Sequence, residues 1–151
     1  MIAPEARSVA ERGTLEVFTP RDGSLADAYG DLGAVRQLPY HRLTAPRDLG
    51  ELIRALRRPG HEVGVFRREL RRAAPDVVVI VTAVLPAALI AARLESLPTV
   101  LYVGEIFAKD DRGRLRTLGD RAVARLSEAL ANRLVCCFEG VSAQLTDATR
   151  R

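Results

Sequence analysis

The residues of this sequence best placed for chemistry are Thr82 and the pair Gly104-Glu105. Each stands at the end of an apolar run: P-D-V-V-V-I-V-T closes on Thr82, and T-V-L-Y-V leads into Gly104. A hydroxyl and a carboxylate at such positions can exchange hydrogen bonds with ligand hydroxyls. The bland alternatives are a threonine that merely ends its strand, and a glutamate that is a solvated loop carboxylate or a cap for the next segment. Arg21 and Asp22 form a second candidate pair, after the run T-L-E-V-F-T. Their plainer reading is a simple Pro-Arg-Asp-Gly turn.

Other chemistries find little support. His41 and His61 have no partners at catalytic or metal-ligand spacing, and Cys136-Cys137 lie side by side in an apolar run. Metal sites need ligands spaced so that they converge. Neighbouring strand residues point to opposite faces, so an ordinary disulfide between the two cysteines is not expected and core packing is. The chain contains no G-x-x-x-x-G-K-[S/T] loop, no G-x-G-x-x-G and no G-x-S-x-G elbow. Neither phosphate cradling nor an acyl-transfer serine therefore has local sequence support. No cofactor and no metal are expected.

The elements that would position these residues centre on 75–105. The β-branched run after Pro75 is too short for a helix and lacks polar alternation, as in a strand covered on both faces. The Ala- and Leu-rich stretch L-P-A-A-L-I-A-A-R-L-E-S-L-P follows, closed by Pro98, and reads as a helix buried against a sheet. Thr99 to Val103 is a second apolar strand. Strand, crossover helix and strand make a βαβ unit, which implies a parallel sheet. Ligands of such sheets sit beyond the carboxyl ends of the strands, which singles out Thr82 and Gly104-Glu105.

Around this centre the pattern predicts a helix over Pro4 to Arg12 ended by Gly13, then strands at Thr14–Thr19 and Ala34–Leu38 with a short helix from Ser24 to Tyr29 between them. Leu49, Leu52, Ile53 and Leu56 mark one face of a helix over Arg47–Arg58, stopped by Pro59-Gly60. A further helix starts at His61, with Val63, Phe66 and Leu70 inward and Arg67, Arg68, Arg71 and Arg72 mostly outward. Beyond Glu105 a polar loop is expected, then a helix with Leu115, Leu118, Ala122, Leu126 and Leu130 on one face. Arg133 to Phe138 is the last strand, and a helix starts at Glu139. Strands alternating with helices predict an α/β, Rossmann-like three-layer α/β/α fold with a mostly parallel sheet. Such a sheet usually opens with a strand, yet this chain opens on a helix. The first strand is expected to be missing, from the slot between Thr14–Thr19 and Asp76–Thr82, which suggests a fragment.

With 151 residues, 1–151 is expected to be a single domain. Apolar residues make up 48% and charged ones 28%, an ordinary globular mixture. No apolar run reaches the roughly 18 residues a membrane span needs, and M-I-A-P-E-A-R-S is no secretory leader. A cytoplasmic location is the default. The net charge is +4, and every basic residue except Lys109 is arginine. Nucleotide bias in the coding sequence is the plain explanation; attraction to phosphate-bearing partners or an anionic membrane is the functional one. With 5% aromatics and none interleaved with the arginines, a nucleic-acid platform is not supported.

Taken in order, Glu11-Arg12-Gly13, Pro20 to Leu25, Leu38-Pro39, Pro75 to Val78, Ala91 to Val100, Tyr102 to Glu105 and Arg133 to Leu145 resemble the N-terminal domain of GT-B glycosyltransferases of family four. The similarity covers nearly the whole chain, and its order and spacing carry it more than any single piece. It implies retaining transfer of a sugar from a nucleotide-sugar donor to an acceptor hydroxyl. In that family this domain presents the acceptor, and a following domain holds the nucleotide and the paired glutamates. The chain alone is then expected to be inactive. Glu105 matches a family position and would contact the acceptor. If the acceptor is lipid-linked, the cluster Arg67, Arg68, Arg71, Arg72 would touch the inner face of the membrane; otherwise it is a solvated helix face. Two positions depart from the family: Gly104, where a histidine is frequent, and Phe138, where a serine caps the next helix. A phenylalanine side chain cannot accept the helix N–H bonds. Two other readings stay open: a non-catalytic α/β binding or regulatory domain, and a structural half that pairs with a separate donor-domain subunit.

Overall fold

The computed structural model describes residues 3–20, 24–40, 59–83, 85–104 and 124–143. The chain divides into two compact units, Met1–His41 and Arg42–Arg151, and each is taken by itself.

In the first unit, helix α1 (Ala3–Ala10) leads to strand β1 (Glu16–Thr19), helix α2 (Ser24–Gly30) and strand β2 (Ala34–Gln37). Strands β1 and β2 pair in parallel, Glu16 beside Ala34 and Thr19 beside Gln37. They are joined through α2, as the sequence predicts. The entry to β2 is tight. Ala34 N–H donates to the Leu15 carbonyl at 3.1 Å, and a Cβ on Gly33 would collide with that carbonyl oxygen and lie 2.9 Å from its carbon. Only glycine fits against the Leu15 backbone there. At the far end Leu38 N–H donates to the Thr19 carbonyl at 2.8 Å.

The second unit contains helix α3 (Pro59–Ala73), strand β3 (Val78–Ile80), helix α4 (Pro86–Leu94), strand β4 (Thr99–Val103), helical residues 124–130 (α5), strand β5 (Arg133–Cys136) and a helical turn at 139–143. The three strands form one parallel sheet in the order β3-β4-β5. With both sheets parallel and helices between the strands, the chain is α/β and Rossmann-like. Among the described residues β1 and β3 belong to separate sheets, and no strand pairs on the outer side of β3.

Among the described residues of this unit, the core is built by α4 between the sheet and α3, with Ala124 and Val141 also buried. Helix α4 presents the buried Ala87, Ala88, Leu89, Ala91 and Ala92 and packs on α3, β3 and β4. Its small alanines let the helix approach the strands closely. From α3, Val65, Phe66 and Leu70 are buried and fall on one helical face. Fully burying a side chain such as Leu89 or Leu101 contributes about 1.5–3 kcal/mol. Strand β4 is the central strand, and its Thr99, Leu101 and Val103 are all buried.

Helix α4 starts at Leu85 with no side-chain cap, using proline at its first turn. It ends in a Schellman turn: Ser96 N–H donates to the Arg93 carbonyl and Leu97 N–H to that of Ala92, at 3.1 and 3.0 Å. The turn forces Ser96 to φ 57°, a left-handed conformation in a residue that is not glycine. Ala74, just past α3, likewise has φ 44°.

Several expectations are corrected. The helix expected to start at His61 starts two residues earlier: Pro59-Gly60 forms the first turn of α3, where the missing proline N–H costs nothing. The β-branched run after Pro75 is not covered on both faces. Val77, Val79 and Val81 are 46%, 48% and 51% exposed; among the described residues the buried face of these strands is that of Ile80 and Leu101. In α5 the buried residues are Ala124 and Ser127, while Leu126 is exposed, so the apolar face there is rotated from the one the leucines mark. Cys137 is exposed and not in the core. The helix expected over Arg47–Arg58 and the loop after Glu105 lie outside the described residues.

Candidate functional site

Parallel β3 and β4 run side by side, with Ile80 beside Leu101. Continuing that register brings Thr82, two residues past β3, and Gly104, the first residue past β4, to the same carboxyl edge of the sheet. The half-buried Thr82 and the buried Ala83 open the short connection into α4. Of the sequence candidates, the structure brings together Thr82 and Gly104. Glu105, Arg21, Asp22 and His41 lie outside the described residues. His61 is an exposed residue in the first turn of α3.

The third strand end adds a residue that sequence reasoning assigned to the core. Cys137 N–H donates to the Val103 carbonyl at 3.1 Å, so Cys137 stands beside Gly104 at the edge. A Cβ built on Gly104 would be 3.6 Å from the Cys137 sulfur, so the thiol borders the space a larger residue would take. Phe138 follows, 47% exposed, and its carbonyl accepts Val141 N–H at 3.0 Å in the next helical turn. Gly104 and Phe138 thus lie at the same carboxyl edge of the sheet, with Cys137 beside Gly104. No signal in the sequence places Cys137 beside Gly104, because that nearness depends on the β4–β5 register.

This edge offers hydroxyl, thiol and backbone groups, which suit binding and orientation. The Cys136 thiol, half-buried on β5, is pushed above its usual value by burial first and then by Cys137 and Glu128, so at neutral pH it is no thiolate nucleophile. Among the described residues no group of three His, Cys, Asp or Glu side chains could hold a metal ion.

The register that builds the edge is fixed at the opposite end. Asn132 binds the backbone of Thr99 twice: its Oδ1 accepts Thr99 N–H at 2.9 Å and its own N–H donates to the Thr99 carbonyl at 3.0 Å. The Thr99 hydroxyl donates to the Leu97 carbonyl at 3.1 Å. Nearby, Glu95 ties α4 to α3, accepting from Arg67 Nε at 2.6 Å and Arg71 Nε at 2.7 Å. The Arg71 hydrogen bond, seconded by that of Arg67, holds the Glu95 carboxyl below the usual carboxylate range. Arg72 pairs with Glu69 at 2.9 Å. The α3 arginines expected to face outward are therefore in part committed to ion pairs within the fold.

In the first unit the carboxyl end of β1 carries a buried hydroxyl that sequence reasoning passed over. Thr19 is 4% exposed, and among the described residues its Oγ1 has no hydrogen-bond partner. A buried hydroxyl left unsatisfied costs about 1–3 kcal/mol. Arg21 and Asp22 follow it closely in sequence.

Compared with known proteins, the chain matches no protein-family model and no curated protein.

Proposed function

We propose that this chain is the acceptor-side domain of a retaining GT-B glycosyltransferase. One observation carries the reading: adjacent parallel strands deliver Thr82 and Gly104 to a common carboxyl edge, where ligands of such sheets bind. The ordered resemblance of the sequence to that family supplies the chemistry. A nucleotide-sugar donor is held by a second domain, as in the family. The acceptor, a sugar or a lipid-linked sugar, lies along the β3–β4 edge with a hydroxyl turned toward the donor.

In the transfer, the bond from the anomeric carbon to the diphosphate breaks, the bond to the acceptor oxygen forms, and the nucleoside diphosphate departs with the electron pair. The acceptor proton passes to an oxygen of the departing diphosphate. The role of this domain is to hold the hydroxyl in line, which removes much of the entropic part of the barrier. Thr82 and Glu105 hydrogen-bond the acceptor, and Gly104 leaves room for it. The absence of a phosphate-cradling loop from the sequence agrees with a donor site elsewhere. For a lipid-linked acceptor, Arg68, whose side chain is 74% exposed, is the guanidinium of α3 most available to the inner face of the membrane.

Calorimetry with UDP- and GDP-sugars on this chain tests the division of labour. The reading expects no binding tighter than about millimolar, a weak-affinity limit near 4 kcal/mol. Micromolar binding would place the donor site in this chain and overturn it.

A further inference from the structure

We draw no further inference here: the strongest candidate, the half-exposed apolar face and outer edge of β3 carrying Val77, Val79 and Val81, carries nothing because nothing in the structure shows what covers it.

Discussion

Replacing Asn132 with alanine isolates the interaction that sets the sheet register. The substitution removes the Oδ1 acceptor, 2.9 Å from Thr99 N–H, and leaves the Asn132 backbone bond to the Thr99 carbonyl in place. Thr99 is 1% exposed while Asn132 is exposed, so water reaches the vacated position only from the Asn132 side. An orphaned buried N–H costs about 1–3 kcal/mol. Taking about 2 kcal/mol, the melting temperature of a domain this size falls by roughly 4–8 °C. Asn132→Asp retains an acceptor at the same place and is expected to lose less than half as much. Thermal unfolding followed by circular dichroism gives both numbers, and amide exchange at Thr99 reports the bond itself. A loss under about 0.5 kcal/mol for Asn132→Ala, within the range of ordinary surface substitutions, would refute the reasoning. So would equal losses for the two variants.

Three further outcomes follow from the same physics. Glu95 has its carboxyl held low in the fold, so its contribution is present above the unfolded value near 4.3 and lost as pH falls through the folded value. Urea melts between about pH 5 and pH 3 should show the native chain losing more stability than Glu95→Gln; identical losses would contradict the pairing with Arg71 and Arg67. Ser96→Gly relieves the left-handed strain at the end of α4 and is expected to stabilise by about 0.5–1 kcal/mol, read as a higher urea midpoint. Gly33→Ala drives a methyl into the Leu15 carbonyl and should cost at least about 1–3 kcal/mol, with exchange protection lost in β1 and β2.

The α/β class was legible because its signals are local. The Pro75 punctuation, the valine run, the alanine-rich crossover and Thr99–Val103 each state their type within a few residues. What failed depends on distant partners. A β-branched run looks the same whether one face or two are covered, so the exposure of Val79 could not be read. Pro59-Gly60 reads as preceding a helix that starts at His61, though proline suits the first turn of that helix. The Schellman turn after α4 carries serine where glycine would have announced it. The candidate edge was half legible: strand polarity placed Thr82 and Gly104 at carboxyl ends. The nearness of Cys137 to Gly104, and the hold of Asn132 on Thr99, arise only when β5 docks beside β4.

The most direct test of the account is to map acceptor binding by amide chemical shifts while titrating methyl glycosides of glucose, galactose, mannose and N-acetylglucosamine. The account predicts that at least one sugar moves the amides of Thr82, Ala83, Gly104 and Cys137 together, and that Thr82→Val weakens that response. Shifts confined to the amino ends of the strands, around Val78, Thr99 and Arg133, or no shift at the carboxyl edge with any of the four sugars, would contradict it.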